Sequence, residues 1–174
     1  MGGAKKQMNK EFEEFRDFER QKHFGFFLPF YQKKGWKVIK DNINSDTAAF
    51  WDVILKKDGK TWKIDEKARN GEWNDCLVEI IQDLKGINTE KPAIGWVVEC
   101  EKSTDFLLYG SWEKGEEIKP SSLYAIHAKK LWKYVSEIGG KPKICLSPRG
   151  FGNTLNFLLP WRDLVGNEIA KKII

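Results

Sequence analysis

The chain has 174 residues, enough for one domain with a substantial core. Hydrophobic residues make up 41% and charged residues 32%, which excludes a disordered tail, and no apolar run approaches the roughly 20 residues of a membrane span. The first ten residues are polar and basic, without the apolar stretch of a secretory signal. The three cysteines are far apart, which favours reduced thiols in a cytoplasmic protein over a disulfide framework or a structural zinc site.

The net charge of +5 is unevenly distributed along the chain. Residues 1–40 contain ten Lys and Arg against five Asp and Glu, residues 41–119 contain eleven against seventeen, and residues 120–174 contain nine against three. An acidic centre between basic flanks suits a metal site that must approach a polyanion. Ordinary surface charge produces the same pattern, so the distribution alone does not decide between the two.

The first half of the chain is predicted to form a helix followed by a three-stranded meander. Phenylalanines recur at helical spacing and predict a long helix over residues 7–32, which Gly25 and Pro29 are expected to break or kink near its end. Residues 41–47 form a polar loop, and Lys57-Asp58-Gly59-Lys60 is predicted to be a hairpin turn. The three strands are predicted at residues 36–40, 49–55 and 61–68.

The second half is predicted to add further strands and two helices. Residues 76–84 fit a strand and a helical face equally, and periodicity does not decide between them. Helices are predicted over residues 128–138 and 161–171, and Pro160 is typical of the residue at which the second helix begins. Paired strands are predicted at residues 95–99 and 106–109, another strand at 123–126, and a hairpin at 143–147 and 154–159. Together these elements predict one α+β domain, residues 1–174, with a central mixed sheet flanked by helices.

Two carboxylates and a lysine are predicted to converge on the second and third strands. Asp52 lies in an otherwise apolar strand, where a carboxylate is costly to bury unless it binds a cation or hydrogen-bond donors. Asp65 and Lys67 share one face of the next strand because side chains alternate, and pairing across the hairpin turn sets Asp52 opposite them. Two carboxylates bind Mg²⁺ or Mn²⁺ through oxygen, and a nearby lysine can orient or deprotonate a nucleophile. The pattern therefore predicts a metal site suited to phosphoryl chemistry.

This pattern resembles the signature of a known family. Asp52 in its apolar strand, followed by Ile64-Asp65-Glu66-Lys67, is similar to the motif of the PD-(D/E)XK nuclease superfamily, which has the restriction-endonuclease-like fold. The predicted helix, the Gly35-Trp36 turn and the strands resemble that superfamily's αβββ opening, as in archaeal Holliday-junction resolvases. The resemblance spans residues 10–165, with residues 48–110 as its specific part. It extends to small phage and mobile-element members through Asn74, Glu79, Gly95-Trp96, Asp105 and Tyr109.

The resemblance implies roles for three residues. Asp52 and Asp65 would be metal ligands, and Lys67 would be the base that positions the nucleophile. The chain departs from the motif at two points, since Trp51 replaces the proline before Asp52 and Asp65 stands where Glu is commoner.

The resemblance also implies further acidic residues at the site. Many members place a Glu on the first helix, for which Glu19 is favoured over Glu14 and Glu11 because it lies closest to the following turn. A further acid or Gln often follows the third strand, and Glu79, as a third metal ligand, or Gln82 would serve. Solvated or salt-bridged carboxylates are the alternative interpretation of these residues.

The function implied is a metal-dependent endodeoxyribonuclease with Mg²⁺ or Mn²⁺ as cofactor and DNA as partner, in which water attacks the phosphate in line and leaves a 5′-phosphate. The alternatives are a non-catalytic nucleic-acid-binding module on the same fold and a phage accessory protein acting through protein contacts. The sequence does not decide between duplex, single-stranded, flap or branched DNA and RNA. Two cuts in a duplex would favour a homodimer. Basic residues expected to neutralise phosphates, if they are not simply solvated, are Lys33, Lys34, Lys129, Lys130, Lys133 and Arg149.

The remaining conspicuous side chains are interpreted as structural. His23 and His127 are expected to be surface or capping residues, so a histidine-based hydrolase is not predicted. Most of the eight tryptophans are expected in the core. Trp73 and Trp112 fall in predicted polar loops, and they are the expected exceptions available for base stacking.

Overall fold

The computed structural model of the protein describes residues 13, 14, 16–44, 51–81, 95–113, 117–138, 143–149 and 152–174. The helices are α1 (16–22), a π-helical turn (His23–Phe27), α2 (Leu28–Lys33), α3 (Trp96–Ser103), α4 (Ala128–Ile138) and α5 (Trp161–Gly166). The first strands are β1 (Lys37–Asp41), β2 (Val53–Lys57), β3 (Lys60–Asn70) and β4 (Asp75–Ile81). The later strands are β5 (Phe106–Trp112), β6 (Ser122–His127), β7 (Lys143–Arg149), β8 (Gly152–Pro160) and β9 (Ala170–Lys172).

The predicted N-terminal helix is present, and its α-helical geometry is interrupted near its end, where Gly25 and Pro29 were expected to break or kink it. Residues 16–33 are helical throughout, and residues 7–12 of the prediction lie outside the described part of the chain. The interruption is the π-helical turn, in which the backbone N–H of Leu28 donates to the carbonyl of His23 five residues earlier. This wider turn ends one helix and starts the next, so that Pro29 falls in a first turn, where its missing N–H costs nothing.

The three-stranded meander is confirmed. β1, β2 and β3 pair in antiparallel order, and the β2–β3 turn has positive φ at both Asp58 (50°) and Gly59 (76°), as a two-residue type I′ hairpin requires. β2 begins at Val53, later than predicted, so Asp52 immediately precedes the strand. Residues 49 and 50 of the predicted strand lie outside the described residues.

The central sheet is mixed, as predicted for an α+β protein. Its six strands follow the order β1-β2-β3-β5-β6-β9, and β3 runs parallel to β5 while the other neighbours are antiparallel. One apolar cluster, including Phe27, Tyr31 and Ile64, joins the N-terminal helices to one face of this sheet. A second cluster, including Leu107 and Leu131, joins the other face to α4 and to the second sheet.

A second sheet, of three strands in the order β4-β8-β7, was not foreseen. It resolves the ambiguous stretch from residue 76 as the strand β4, with residues 82–84 outside the described part, and it contains the predicted C-terminal hairpin. The predicted strand at residues 95–99 is wrong, because this stretch belongs to helix α3. Parallel strands need a crossover connection, usually helical, and α3 supplies it between β3 and β5. Residues 95–99 contain three large apolar side chains in a row, Trp96, Val97 and Val98, and so short a run does not reveal a helical periodicity.

The C-terminal helix is also shorter than predicted. It ends at Gly166, and Glu168 adopts a positive φ of 54° that turns the chain back, so Ala170–Lys172 pairs with β6 as strand β9. Tertiary pairing with the open edge of β6 therefore prevails over the helical pattern of this segment. The helix predicted over residues 128–138 coincides with α4. No helix in the described part of the chain is long and apolar enough to cross a membrane.

Candidate active site at the start of strand β2

The hairpin register brings Asp52 and Asp65 together, as the sequence predicted. Val53 pairs with Ile64 at the end of the ladder, and the backbone N–H of Asp52 donates to the carbonyl of Ile64 at 2.9 Å. The next pair of opposed residues is therefore Asp52 and Asp65, whose carboxyl groups are hydrogen-bonded. The backbone N–H of Glu66 donates to Oδ2 of Asp52 at 2.6 Å, which fixes the direction of that carboxyl.

Lys67 completes the cluster from the same face of β3. Its Nζ lies 2.9 Å from Oδ1 and 2.8 Å from Oδ2 of Asp65. The ring of Trp96, at the start of α3, lies 5.5 Å from the same Nζ, close enough for a cation–π contact. Burial opposes the ammonium charge, but the charges of Asp65, Asp52 and Glu19 outweigh it, so the pKa of Lys67 is raised above its usual value. Lys67 is therefore a fixed positive charge at the site.

Two neighbouring carboxyls repel each other when both are ionised, and this repulsion contributes to the raised pKa of Asp52. Burial and the charge of Asp65 raise the pKa of Asp52 to about 7, although Lys67 and the N–H of Glu66 act in the opposite direction. A divalent cation would remove this cost by binding both carboxylates. The donors are the carboxylate oxygens of Asp52 and Asp65, which lie beside a small polar cavity. Such hard oxygen ligands fit Mg²⁺ or Mn²⁺ better than a softer metal.

The cavity beside the cluster has a volume of about 80 Å³, which is large enough to hold several water molecules. Its polar walls are Asp52, Glu66, Lys67 and, from helix α1, Glu19. Phe27 contributes an apolar wall. Three of the seven residues that line the cavity are acidic, and of the pair Asp52 and Asp65 only Asp52 is among them.

The predicted acidic residues differ in their positions. Glu19 lines the cavity with Asp52 and Lys67, whereas Glu14 is exposed and is not among the residues that line it. Glu79 is buried on β4, in the second sheet, and is not among the residues that line the cavity. Glu11 and Gln82 lie outside the described residues.

The predicted phosphate-binding lysines are placed at a distance from the cluster or on other elements. Lys33 and Lys34 are exposed at the end of α2, where Nζ of Lys57 donates to the carbonyl of Lys34 at 2.8 Å. Lys57 is at the turn end of the hairpin, five residues after Asp52, a separation of about 17 Å at the usual strand rise. These two lysines therefore do not adjoin the cluster.

The other predicted basic residues are on α4 and β7. Lys129, Lys130 and Lys133 are exposed on α4, and Nζ of Lys133 lies 3.8 Å from Oε1 of Glu137. Arg149 is the last residue of β7, and its side chain lies outside the described part of the structure.

A buried polar network on the opposite face of β3 was missed. His23 is 0% exposed, so its prediction as a surface residue is wrong. Its Nδ1 donates to Glu66 at 2.7 Å and its Nε2 to Asp41 at 3.0 Å, and the Tyr31 hydroxyl donates to Glu66 at 2.8 Å. Burial lowers the pKa of His23, but the hydrogen bonds and charges of Glu66 and Asp41 outweigh it and raise that pKa to about 9. The signal in the sequence was Glu66, which alternates with Ile64 and Ala68 on an apolar face and needs a partner.

The two tryptophans singled out from the sequence have different environments. Trp112 is 0% exposed and packs edge-on against Phe26 and Phe27, so its prediction as an accessible loop residue is wrong. Trp73 is 49% exposed, and the guanidinium of Arg69 lies 4.6 Å from its ring. Only Trp73 of this pair keeps a ring face near solvent.

Among the residues that the structure describes, no group of three or more His, Cys, Asp and Glu side chains is arranged to hold a metal ion. The oxygen donors brought together at the candidate site are the carboxyls of Asp52 and Asp65. Comparison of the chain with models of protein families, with curated proteins and with solved structures gives no match.

Proposed function

We propose that the protein is a metal-dependent nuclease that hydrolyses phosphodiester bonds in DNA. The observation that carries the proposal is the opposition of Asp52 and Asp65 beside Lys67. A structural ion pair needs one carboxylate for one ammonium. Burial and the second carboxylate raise the pKa of Asp52, and its hydrogen bond from the backbone N–H of Glu66 only partly offsets this cost. A bound divalent cation would stabilise both carboxylates in their charged form, and this would explain why the second one is present.

The order of the elements supports the same proposal. The helical residues 16–33 precede the antiparallel strands β1, β2 and β3, and the acidic pair and lysine lie on the second hairpin of this unit. This arrangement is similar to the αβββ opening of the PD-(D/E)XK superfamily, and we propose that the domain has the restriction-endonuclease-like fold.

Each residue has a role that follows from its position. Asp52 and Asp65 would hold Mg²⁺ or Mn²⁺ through their carboxylate oxygens, and the ion, when bound, supplies an acidified water and charge neutralisation on the phosphate. Lys67, held in its charged form by Asp65, would orient the attacking water and the phosphate by hydrogen bonds. Glu19 would hold water in the cavity that it shares with Asp52.

The test is cleavage of a panel of duplex, single-stranded, flap and four-way-junction DNA, with a matched RNA, in Mg²⁺ and in Mn²⁺. Asp65→Asn preserves shape and removes one negative charge, so we expect cleavage to fall by at least about a hundredfold. Asp17→Asn makes the same chemical change at a side chain that is 65% exposed on α1, and cleavage should be unchanged.

Equal cleavage by wild type and Asp65→Asn would refute the proposed site. Binding of DNA without cleavage in either metal would instead assign the domain to non-catalytic nucleic-acid binding. Cleavage of RNA alone would correct the substrate and leave the site in place.

A further inference from the structure

We propose that one face of the β1–β3 meander binds the phosphate backbone of the nucleic acid and leads it to Asp52 and Asp65. This inference rests on the proposed function for the identity of the polyanion. The face is formed by four lysines, one or two from each strand, and is called the lysine face. Its members are Lys37 and Lys40 on β1, Lys56 on β2 and Lys63 on β3.

The strand register places these four side chains on one side of the sheet. Lys37 is directly opposite Lys56, Lys40 is opposite Ile54, and Ile54 is opposite Lys63. Residues directly opposite each other project from the same face, as do residues two apart on one strand. All four lysines therefore share a face, and Asp65, two residues after Lys63, shares it too.

A β-bulge is what brings Lys40 onto this face. Residues three apart on a regular strand point in opposite directions, and the sequence alone would separate Lys37 from Lys40. The register shifts between Val38 and Lys40, so one extra residue re-aims the strand. Asp41 still reaches the opposite face, where it contacts His23.

The positive charges of the lysine face are not neutralised by acidic side chains within the described part of the chain. All four side chains are exposed, and within the described part of the chain none of them forms an ion pair. The ammonium of Lys40 contacts a ring, that of Trp51, at 5.2 Å. Lys37 and Lys56 are like charges directly opposite each other, an arrangement that destabilises a sheet. A bound polyanion offsets this repulsion, which favours a phosphate backbone as the ligand.

The spacing of the lysines leads towards the acidic pair. At a rise of about 3.4 Å per residue, Lys63 is about 7 Å from Asp65 along β3, and Lys56 is about 14 Å from Asp52 along β2. One strand of duplex DNA has a phosphate every 3.4 Å of helix axis, so the face spans about four phosphates. The carboxyl pair repels phosphate, and four cations next to it reduce that repulsion before a metal ion binds.

The experiment measures DNA binding by fluorescence anisotropy with the full chain in EDTA, so that cleavage does not contribute. Affinity for a labelled duplex is recorded between about 50 and 200 mM salt for the quadruple variant Lys37→Gln, Lys40→Gln, Lys56→Gln and Lys63→Gln. Four lost phosphate contacts would make the slope of log K against log salt less negative by about 3 to 4. The matched control removes the same charge at four exposed lysines outside the lysine face, by Lys60→Gln, Lys119→Gln, Lys171→Gln and Lys172→Gln, and should keep the wild-type slope to within about 1.

A pair variant, Lys56→Gln with Lys63→Gln, covers the case in which the quadruple variant does not fold, and it should give about half the change in slope. An unchanged slope in both lysine-face variants, or an equal change in the control, would overturn the inference, as would wild-type binding to anionic phospholipid vesicles with none to DNA. Cleavage in Mg²⁺ with an unchanged slope would refute the lysine face and leave the nuclease standing. A changed slope without cleavage would support the lysine face and refute the nuclease.

Discussion

Replacing the buried pair of His23 and Glu66 by glutamines should remove a specific pH dependence of stability. His23 on the π-helical turn and Glu66 on β3 are both buried, and they join the N-terminal helices to the sheet through a 2.7 Å hydrogen bond. Removing only His23 would leave Glu66 buried without its cation, a large and uninformative cost. The double variant His23→Gln with Glu66→Gln keeps polar groups of similar size and removes both titrating groups.

The magnitude follows from the pKa of His23, which burial lowers but Glu66 and Asp41 raise from 6.5 to about 9. The folded chain therefore holds one more proton than the unfolded chain between these pH values. The stabilisation is fully present below pH 6.5 and is lost as the pH rises through about 9. At 1.36 kcal/mol per pH unit the loss is about 3 kcal/mol. The Asp41 side chain is 33% exposed, and solvent screening of that partner reduces the expected loss to about 2 kcal/mol.

The assay is urea unfolding of wild type and the double variant across this pH window and one unit on either side. The difference between their free energies of unfolding should shrink by about 2 kcal/mol as the pH rises through the window. Taking the difference cancels the titration of groups that do not interact with His23 or Glu66. His127→Gln leaves the network intact and should follow the wild type. A difference that stays constant with pH would show that His23 is not charged in the folded protein.

Two packing substitutions test the fold around the site. In Gly95→Ala the new Cβ would lie 2.6 Å from the backbone carbonyl carbon of Ile80, and since backbone cannot move aside cheaply, we expect a loss of about 3 kcal/mol in urea unfolding. Gly25→Ala is the control, because nothing lies within 4 Å of its Cβ, and helix propensity should make it neutral or stabilising by about 0.5 kcal/mol. Equal effects of the two would contradict the packing of β4 on α3. Leu131→Ala, at a 0% exposed position on α4, should lower the melting temperature and cost about 3 kcal/mol, and a cost below about 1 kcal/mol would place α4 outside the core.

The candidate site was predictable because a local signal sets its geometry. Asp58 and Gly59 favour a two-residue turn with positive φ, and such a turn fixes the register of the strands on either side. Once the register is fixed, Asp52 must oppose Asp65, and alternation places Lys67 beside them. No long-range information enters these steps.

Long-range pairing decided what the sequence did not predict. Residues 95–99 became helical because β3 and β5 are parallel and need a crossover, a fact visible only from strand order. The segment 170–172 left the predicted helix because β6 has an open edge. His23 is buried by Asp41 and Glu66, which are 18 and 43 residues away along the chain. Each of these outcomes depends on residues far outside the window in which a periodicity is read.

The bulge in β1 shows how a single residue changes which chemistry reaches the site. With regular alternation from Lys37, Lys40 would lie on the helix-covered face near the apolar cluster, and Asp41 would lie away from His23. The one-residue shift after Val38 reverses the direction of both side chains, so that Lys40 lies on the lysine face and Asp41 contacts His23. Deletion of Ile39 would restore regular alternation in β1. We expect it to remove Asp41 from the buried network and Lys40 from the lysine face at once. Strand β1 contributes no residue to the acidic pair, but its bulge determines which charged side chains lie on each face of the sheet next to that pair.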